Sequence, residues 1–282
     1  MEVQKKGLET IMMRSLWTAA SGMHTQQTNV DTISNNLANI NTTGYKKESA
    51  QFKSLLYQTI QANSTNANGE LKPVGIQAGL GVRTSAILSK YSQGALLETG
   101  NDYDFAVQGN GFFMIQMEDG SVGYTRNGSF GLSIGVDGTT LATAEGRPVL
   151  DTAGKPIVFD LDKDTSLIGV DDSGNFTYPG ESGNPEPIGI QIGLAQFNNP
   201  AGLEKISNSI LKPTESSGEA RLESEDTNLV DSKVINKYLE GSNVQAVNEM
   251  VDLIVAQRAY EMNSKTITAA DEMLQQANNL RR

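Results

Sequence analysis

The chain has 282 residues, no cysteine, a single histidine and a net charge of −11 from 22 basic and 33 acidic side chains. Without cysteine there are no disulfides, no thiolate catalysis and no cysteine-ligated zinc, and an acidic chain argues against nucleic-acid or anionic-membrane binding, which needs clustered Lys and Arg. No apolar run approaches the ~20 residues of a membrane span, so the chain is not expected to be membrane-embedded.

Residues 1–12 read as a polar leader, or an appended remnant, before Met13. They lack the apolar stretch and A-x-A site of a cleaved secretory signal. A helix is expected from Ser15, as its cap, to Ile40. Leu16, Ala20, Met23, Val30, Leu37 and Ile40 form its apolar stripe, with Gln27 and Ser34 at the two remaining stripe positions. Asn41-Thr42-Thr43-Gly44 ends it, with Gly44 in a left-handed conformation that makes Asn41 and Gly44 a hinge. Phe52, Leu55, Leu56 and Ile60 are spaced for a shorter helix within Tyr45–Gln61, and Ala62–Lys72 reads as a flexible polar loop.

From Tyr91 to Asn199 the period becomes strand-like, with turn residues every eight to twelve positions. GFFMIQM and SVGYTR flank Asp119-Gly120, and LIGV and FTY flank Asp171–Asn175, predicting two hairpins. Ile188, Ile190, Ile192 and Leu194 alternate with smaller or polar residues as one half-buried strand would. Pro200–Gly218 is turn-rich, and Leu229–Leu239 leads to a second long helix over Asn243–Leu280, capped by Ser242 or Asn243. That helix would extend about 57 Å at ~1.5 Å per residue. Its apolar positions include Val244, Val247, Val251, Ile254, Ala259, Met262, Ala269 and Met273, and Arg281 and Arg282 suit its C-terminal end.

A stripe that long needs an equally long partner, because packing rather than propensity supplies most helical stability. The other terminal helix is the natural candidate, within one chain, between subunits, or both; an ordinary two-helix core is the plainer alternative. The expected fold class is α+β: long terminal helices (13–45 and 242–282) forming a coiled coil, a mixed connector (46–90 and 200–241), and an inserted all-β domain (91–199). Free terminal helices should be largely disordered in a dilute monomer unless they pair within one chain, since ordering costs roughly 1–2 kcal/mol per residue.

Sites of chemistry are scarce. His24, the lone histidine, sits on a helix and leaves nothing for a triad or histidine zinc site. Asp160, Asp162 and Asp164 have calcium-loop spacing, but Thr165 stands where Gly is required and Asp171 where the bidentate Glu belongs. Gly109-Asn110-Gly111 reads as a tight turn rather than a nucleotide loop. Asp102 and Asp104 are one of many carboxylate pairs an acidic surface supplies by chance. No catalytic residue, cofactor or metal is expected.

SLWTAASGM, SNNLANINTTGYKK and EGSNVQAVNEMVDLIVAQRAYEMNSKTITAADEML resemble the N- and C-terminal signatures of the bacterial flagellar rod and hook family. GIQAGLGVRTSAI, SQGALLETGNDYDFAVQGNGFF, GYTRNGSF and FNNPAGLEKI agree in order, so the likeness covers nearly everything after Met13. The resemblance implies a non-enzymatic subunit that self-associates into a helical tube, with the terminal helices innermost and the β domain outermost. It implies export unfolded through the flagellar type III apparatus. One inserted domain of this size fits the distal rod, the drive shaft carrying motor torque to the hook. Proximal rod proteins, hook protein and any L-ring and P-ring would be its neighbours. A proximal rod paralogue is the alternative within the family; a β protein that binds or hydrolyses peptidoglycan is the alternative outside it. The implied assembly residues are Leu16, Ala20, Met23, Val30, Leu37, Val244, Val247, Val251, Ile254, Met262 and Met273.

Overall fold

The computed structural model describes residues 2–61, 76–135, 138–160, 167–180, 184–207, 209–226 and 228–279. The loop expected at 62–72, together with Asp162, Asp164, Thr165, Arg281 and Arg282, lies outside them. The chain divides into a helical unit (Met1–Leu37, Glu48–Leu88 and Gln245–Arg282) and a sheet unit (Ala38–Lys47 and Ser89–Val244).

In the helical unit, α1 spans Glu2–Ala38. It begins well before Ser15, which is therefore an interior residue and not a cap. Residues 2–14 contain no Pro and are rich in Glu, Gln, Lys, Leu and Met, all good helix formers, so nothing stops the helix from extending through the expected leader. The segment expected as a short helix after Gly44 is instead two strands, β1 (Glu48–Ser54) and β2 (Tyr57–Gln61). Four apolar residues over nine positions fit either period, and the partners decide. β2 pairs antiparallel with β3 (Ile76–Gly79), and β1 pairs with β4 (Val82–Ser89), whose VRTSAILS sequence is rich in residues that favour strands.

The second helix, α2, spans Ala246–Asn279. Neither expected cap acts as one. Ser242 Oγ accepts from Val244 N before the helix begins, and Asn243 is spent within the sheet unit, where it accepts from Lys47 N (2.7 Å) and donates to Lys90 O (2.8 Å). Along α2 the residues withdrawn from solvent include Ala246, Glu249, Leu253, Ala256, Asn263, Ile267, Ala270 and Leu274, at intervals of three, four or seven. They meet α1 in antiparallel sense. Asn36 Nδ2 donates to Glu249 Oε2 (3.1 Å), and a Cβ on Gly22 would lie 2.9 Å from Asn263 Nδ2, so stepping back along α1 means stepping forward along α2.

The sheet unit runs through β5 (Leu96–Glu98), β6 (Phe105–Gln108), β7 (Phe112–Gln116), β8 (Val122–Thr125), β9 (Phe130–Ile134), β10 (Thr139–Thr143), β11 (Val158–Phe159) and β12 (Gly169–Val170). It continues with β13 (Asn175–Pro179), β14 (Pro185–Gln191), β15 (Leu194–Gln196), β16 (Glu204–Ser207), β17 (Ile210–Lys212), β18 (Arg221–Leu222), β19 (Lys233–Asn236) and β20 (Tyr238–Glu240). Six strands form one antiparallel sheet in the order β16-β17-β8-β7-β15-β18. Its centre, β7, is buried on both faces: Phe113 and Ile115 join Phe105, Leu141, Phe176 and Ile192 in one core, while Phe112 and Met114 join Tyr124, Leu150 and Phe197 in another. The β7–β8 and β12–β13 hairpins turn at Gly120 and Gly174, both at φ +79.

Two sequence expectations fail here for one reason. The alternating run from Ile188 to Leu194 is not one strand: β14 pairs with β13, whereas β15 pairs with β7 and β18, and the chain changes sheet at Ile192-Gly193. Gly193 makes the change possible, since a Cβ there would lie 2.6 Å from Asp151 O. Nor does the sheet stop at Asn199, because β16, β17 and β18 hydrogen-bond into the same six-stranded sheet. Alternation specifies a face but not which neighbour completes the ladder.

Candidate assembly surface

The expected stripe on α2 and the face it turns toward α1 are different faces. Val247 is 73% exposed, Val251 54% and Ile254 57%, and Met262 and Met273 are also exposed. Val244 is buried, but it lies before the helix and within the sheet unit. On α1, Leu16, Met23, Val30 and Leu37 are half-buried and Ala20 is exposed. Among the described side chains of α1, those that are buried are Ala19, Thr25, Thr32, Ile33 and Asn36. The threonines need no partner across the seam: Thr25 Oγ1 donates to Gly22 O (2.9 Å) and Thr32 Oγ1 to Thr28 O (2.8 Å), each within its own helix.

The buried positions of α1 and α2 are therefore mostly small or polar, beside Ile33 and the half-buried Leu253, Ile267 and Leu274, and much of what stays outside on α2 is apolar. Sequence reading took the apolar periodicity as the packing face. The signal it passed over is the spacing of Glu249, Ala256, Asn263 and Ala270, seven residues apart, in which small and polar residues mark a close approach. The strands of the helical unit add to the exposed set with Tyr57, Ile60, Ile76 and Ile87, the link between β1 and β2 adds Leu56, and α1 adds Trp17. Single exposed apolar residues are ordinary, but this many on one unit make it a candidate interaction surface.

The proposed hinge has a definite setting within the sheet unit. Gly44 takes φ +68, is buried, and donates its N–H to Glu240 O (2.7 Å). A Cβ on Gly44 would lie 2.7 Å from Asn127 N, so backbone packs directly against it. Asn41 is exposed. Two residues after Gly44, Lys46 Nζ donates to Glu240 Oε1 (2.6 Å) and Ser92 O (2.9 Å). Glu240 Oε1 also accepts from Gly94 N (2.8 Å), and its Oε2 from Arg126 Nη1 (3.3 Å). Arg126 donates on to Gly109 O and stacks over the Phe112 ring at 4.9 Å. Lys46, Arg126 and Glu240 are all buried. Burial pulls the Lys46 ammonium below its ordinary pKa, against the raising attraction of Glu240, and does the same to Arg126. Nothing in the sequence announced this knot, because its members are distant in the chain and each is a common charged residue.

The carboxylates weighed for chemistry have structural partners. Asp102 bridges Lys237 (2.9 Å), and Asp104 accepts from Asn101 (3.0 Å). A cavity of about 150 Å³ beside Thr42, Thr125, Asn127, Thr143 and Ser209 has one carboxylate on its wall, Glu145, which pairs with Arg147. Among the described residues no group of three acidic, histidine or cysteine side chains could hold a metal, and no helix is long and apolar enough to cross a membrane.

Three family models match in sequence order: the flagella basal body rod protein over 16–46, the flagellar hook protein FlgE/F/G D1 domain over 106–178, and the flagellar basal body rod FlgEFG protein C-terminal region over 235–280. The flagellar basal-body rod protein FlgG of Agrobacterium fabrum is 44% identical over 93% of this chain and 97% of its own. The chain belongs to the FlgG family. The FlgG of Borreliella burgdorferi is 42% identical over 96% of this chain and 100% of its own, and that of Bacillus subtilis 37% over the same shares. As a FlgG-family member the chain is a structural component of the flagellar basal-body rod, within the cell envelope. Both of the first two relatives carry the name of a structural part of the flagellum, the basal-body rod.

Proposed function

We propose that the subunit builds the distal rod by burying the outward apolar stripe of α2 against the terminal helices of neighbouring copies, forming the coiled-coil inner wall of a tube. The carrying observation is the exposure of Val247, Val251, Ile254 and Met262 on a helix whose opposite face already packs within the chain. Leaving such a stripe in water forfeits about 1.5–3 kcal/mol per large apolar side chain, which association recovers. Leu16, Ala20, Met23, Val30 and Leu37 contribute from α1 and Met273 from the far end of the α2 stripe, whereas Val244, buried in the sheet unit, does not take part; Asn41 and Gly44 form the turn that follows α1. Proximal rod proteins, hook protein, ring proteins and the type III export apparatus are the partners this role requires.

The subunit works without catalysis. Its weighed carboxylates are tied up in ion pairs and hydrogen bonds, which supports the structural reading over a peptidoglycan hydrolase. Purified full-length chain, concentrated and viewed by electron microscopy, should form tubes, and incubation with peptidoglycan should release no soluble fragments. Fragment release, or a chain that stays monomeric at every concentration and builds no rod in cells, would overturn the proposal.

A further inference from the structure

The seam between α1 and α2 mixes small side chains with Ile33, Leu253, Ile267 and Leu274, and a heptad-spaced face has little means of choosing its own register. Thr25 and Thr32 are seven residues apart with hydroxyls satisfied inside α1, and on α2 the buried Ala256 and Ala270 are two heptads apart. Sliding α2 by one heptad, about 10.5 Å at ~1.5 Å per residue, keeps the same face of α2 toward α1, so the choice of face does not by itself fix the alignment. One buried side chain breaks this degeneracy. Asn36 is fully buried, its Oδ1 accepts from Glu48 N (2.8 Å), and its Nδ2 donates both to Glu48 O (2.8 Å) and to Glu249 Oε2 (3.1 Å). The amide thus grips both backbone groups of the first residue of β1, and from that fixed position reaches the buried carboxylate of Glu249.

We propose that Asn36 is a positioning residue that locks the register of α2 against α1 and β1. A heptad slip would put Ala256, which has no side-chain acceptor, opposite Asn36 and would take from Glu249 a donor to its buried carboxylate. Taking a donor away from a buried carboxylate costs more than the same bond is worth in water, which turns one hydrogen bond into a preference for register. A polar residue in an otherwise permissive helix seam acts the same way in coiled coils, specifying one alignment at a cost in stability. The lock decides which outward residues of α2 stand level with those of α1, so it would shape whatever surface the unit presents. The inference itself stands on geometry inside one chain and does not depend on what covers the outward stripe.

The absence of native cysteine makes register directly readable by disulfide trapping. Gly22→Cys is combined in turn with Ala256→Cys, Asn263→Cys or Ala270→Cys, in full-length chain both in dilute solution and in isolated rods. The Gly22/Asn263 pair should cross-link about tenfold in preference to the other two, as a register preference of ~1.4 kcal/mol produces. Asn36→Leu, which fills the site without the amide, should spread cross-linking to positions 256 and 270. Asn36→Asp should do the same by facing Glu249 with a second carboxylate, and adding Glu249→Gln should restore the preference by exchanging donor and acceptor. Retention of the full preference in Asn36→Leu, failure of Glu249→Gln to rescue Asn36→Asp, or a parent chain with no preference for position 263 in either sample would overturn the proposal.

Discussion

The two units dispose of their apolar residues in opposite ways. The sheet unit buries Phe105, Phe112, Phe113, Ile115, Leu141 and Phe176 completely, and even its central ion pairs are out of water. The helical unit buries mainly alanine, threonine and asparagine, and leaves Trp17, Leu56, Val247, Ile254 and Met262 exposed. A domain that has spent its apolar surface on its own core is complete as a monomer. One that leaves large apolar residues in water would, on the assembly proposed above, keep that surface for a neighbour.

The largest effect should come from a charge in the outward stripe. With Val251 54% exposed, the carboxylate of Val251→Asp stays hydrated in the lone chain and should leave the Tm of the sheet unit unchanged. In an assembly that covers the position, it costs several kcal/mol of desolvation beyond the roughly 1.5–3 kcal/mol of lost side-chain burial, and the penalty recurs at every subunit. Rods should be absent by electron microscopy and cells non-motile. Normal rods would remove the stripe from the interface and collapse the contrast between the units.

The converse experiment damages the sheet unit from within. Glu240→Gln leaves the buried Lys46 and Arg126 without their shared counter-charge, for which about 3–5 kcal/mol is typical, or a fall in Tm of roughly 6–20 °C for a unit of this size. A pH signature should accompany it. Because burial lowers the Lys46 pKa, between that lowered value and the ordinary one near ~10.4 the unfolded chain holds the proton and the folded chain gives it up, so stability rises with pH there. Removing Glu240 removes the attraction that opposes the lowering and should extend this rise toward lower pH. A thermal melt of Glu240→Gln that matches the parent from neutral to alkaline pH would show the knot to be incidental.

Gly44→Val should cost less. A β-branched residue at φ +68 is strained by about 1–3 kcal/mol, and its Cβ also meets Asn127 N and Arg126 C at 2.7 and 2.8 Å. The expected fall in Tm is at least several degrees, with Gly44→Ala in between. An unchanged melt would mean that the turn relaxes freely.

The turn at Gly44 was legible because Asn-Thr-Thr-Gly after a helical stripe has a mechanism behind it, and the β7–β8 and β12–β13 hairpins were legible for the same reason. Both long helices were readable from period and from the lack of Pro. Which face of α2 packs inward was not, since an apolar stripe reports what seeks burial and not whether the same chain supplies it. The strand pair at 48–61 was lost to a spacing that fits two periods, and the knot at Glu240 depends on segments nearly two hundred residues apart. Long-range pairing is the information a single sequence carries least of.

The smallest predicted effect tests whether surface ion pairs follow the same division. In the sheet unit Arg221 donates from Nε (2.9 Å) and Nη2 to Asp226 Oδ2, while Asp226 Oδ1 accepts from Asn228 N (3.1 Å); the arginine bonds first, and then that backbone N–H, hold the carboxyl below its usual pKa. In the helical unit Arg258 meets Glu261 one turn away, with both side chains mostly exposed. Above about pH 4 both forms of Asp226 are ionised and its stabilisation is fully present. As the pH falls through the folded-state value the unfolded chain takes up its proton first, and the contribution disappears. Asp226→Asn should therefore lower the sheet unit's Tm slightly at neutral pH, and the gap to the parent should close on acidification. Glu261→Gln should leave the melt at neutral pH unchanged, because an exposed pair of long side chains contributes little or nothing measurable. If Glu261→Gln altered the melt at neutral pH more than Asp226→Asn, electrostatic order would lie in the helical unit, and the view that its chemistry is kept for a neighbour would need revising.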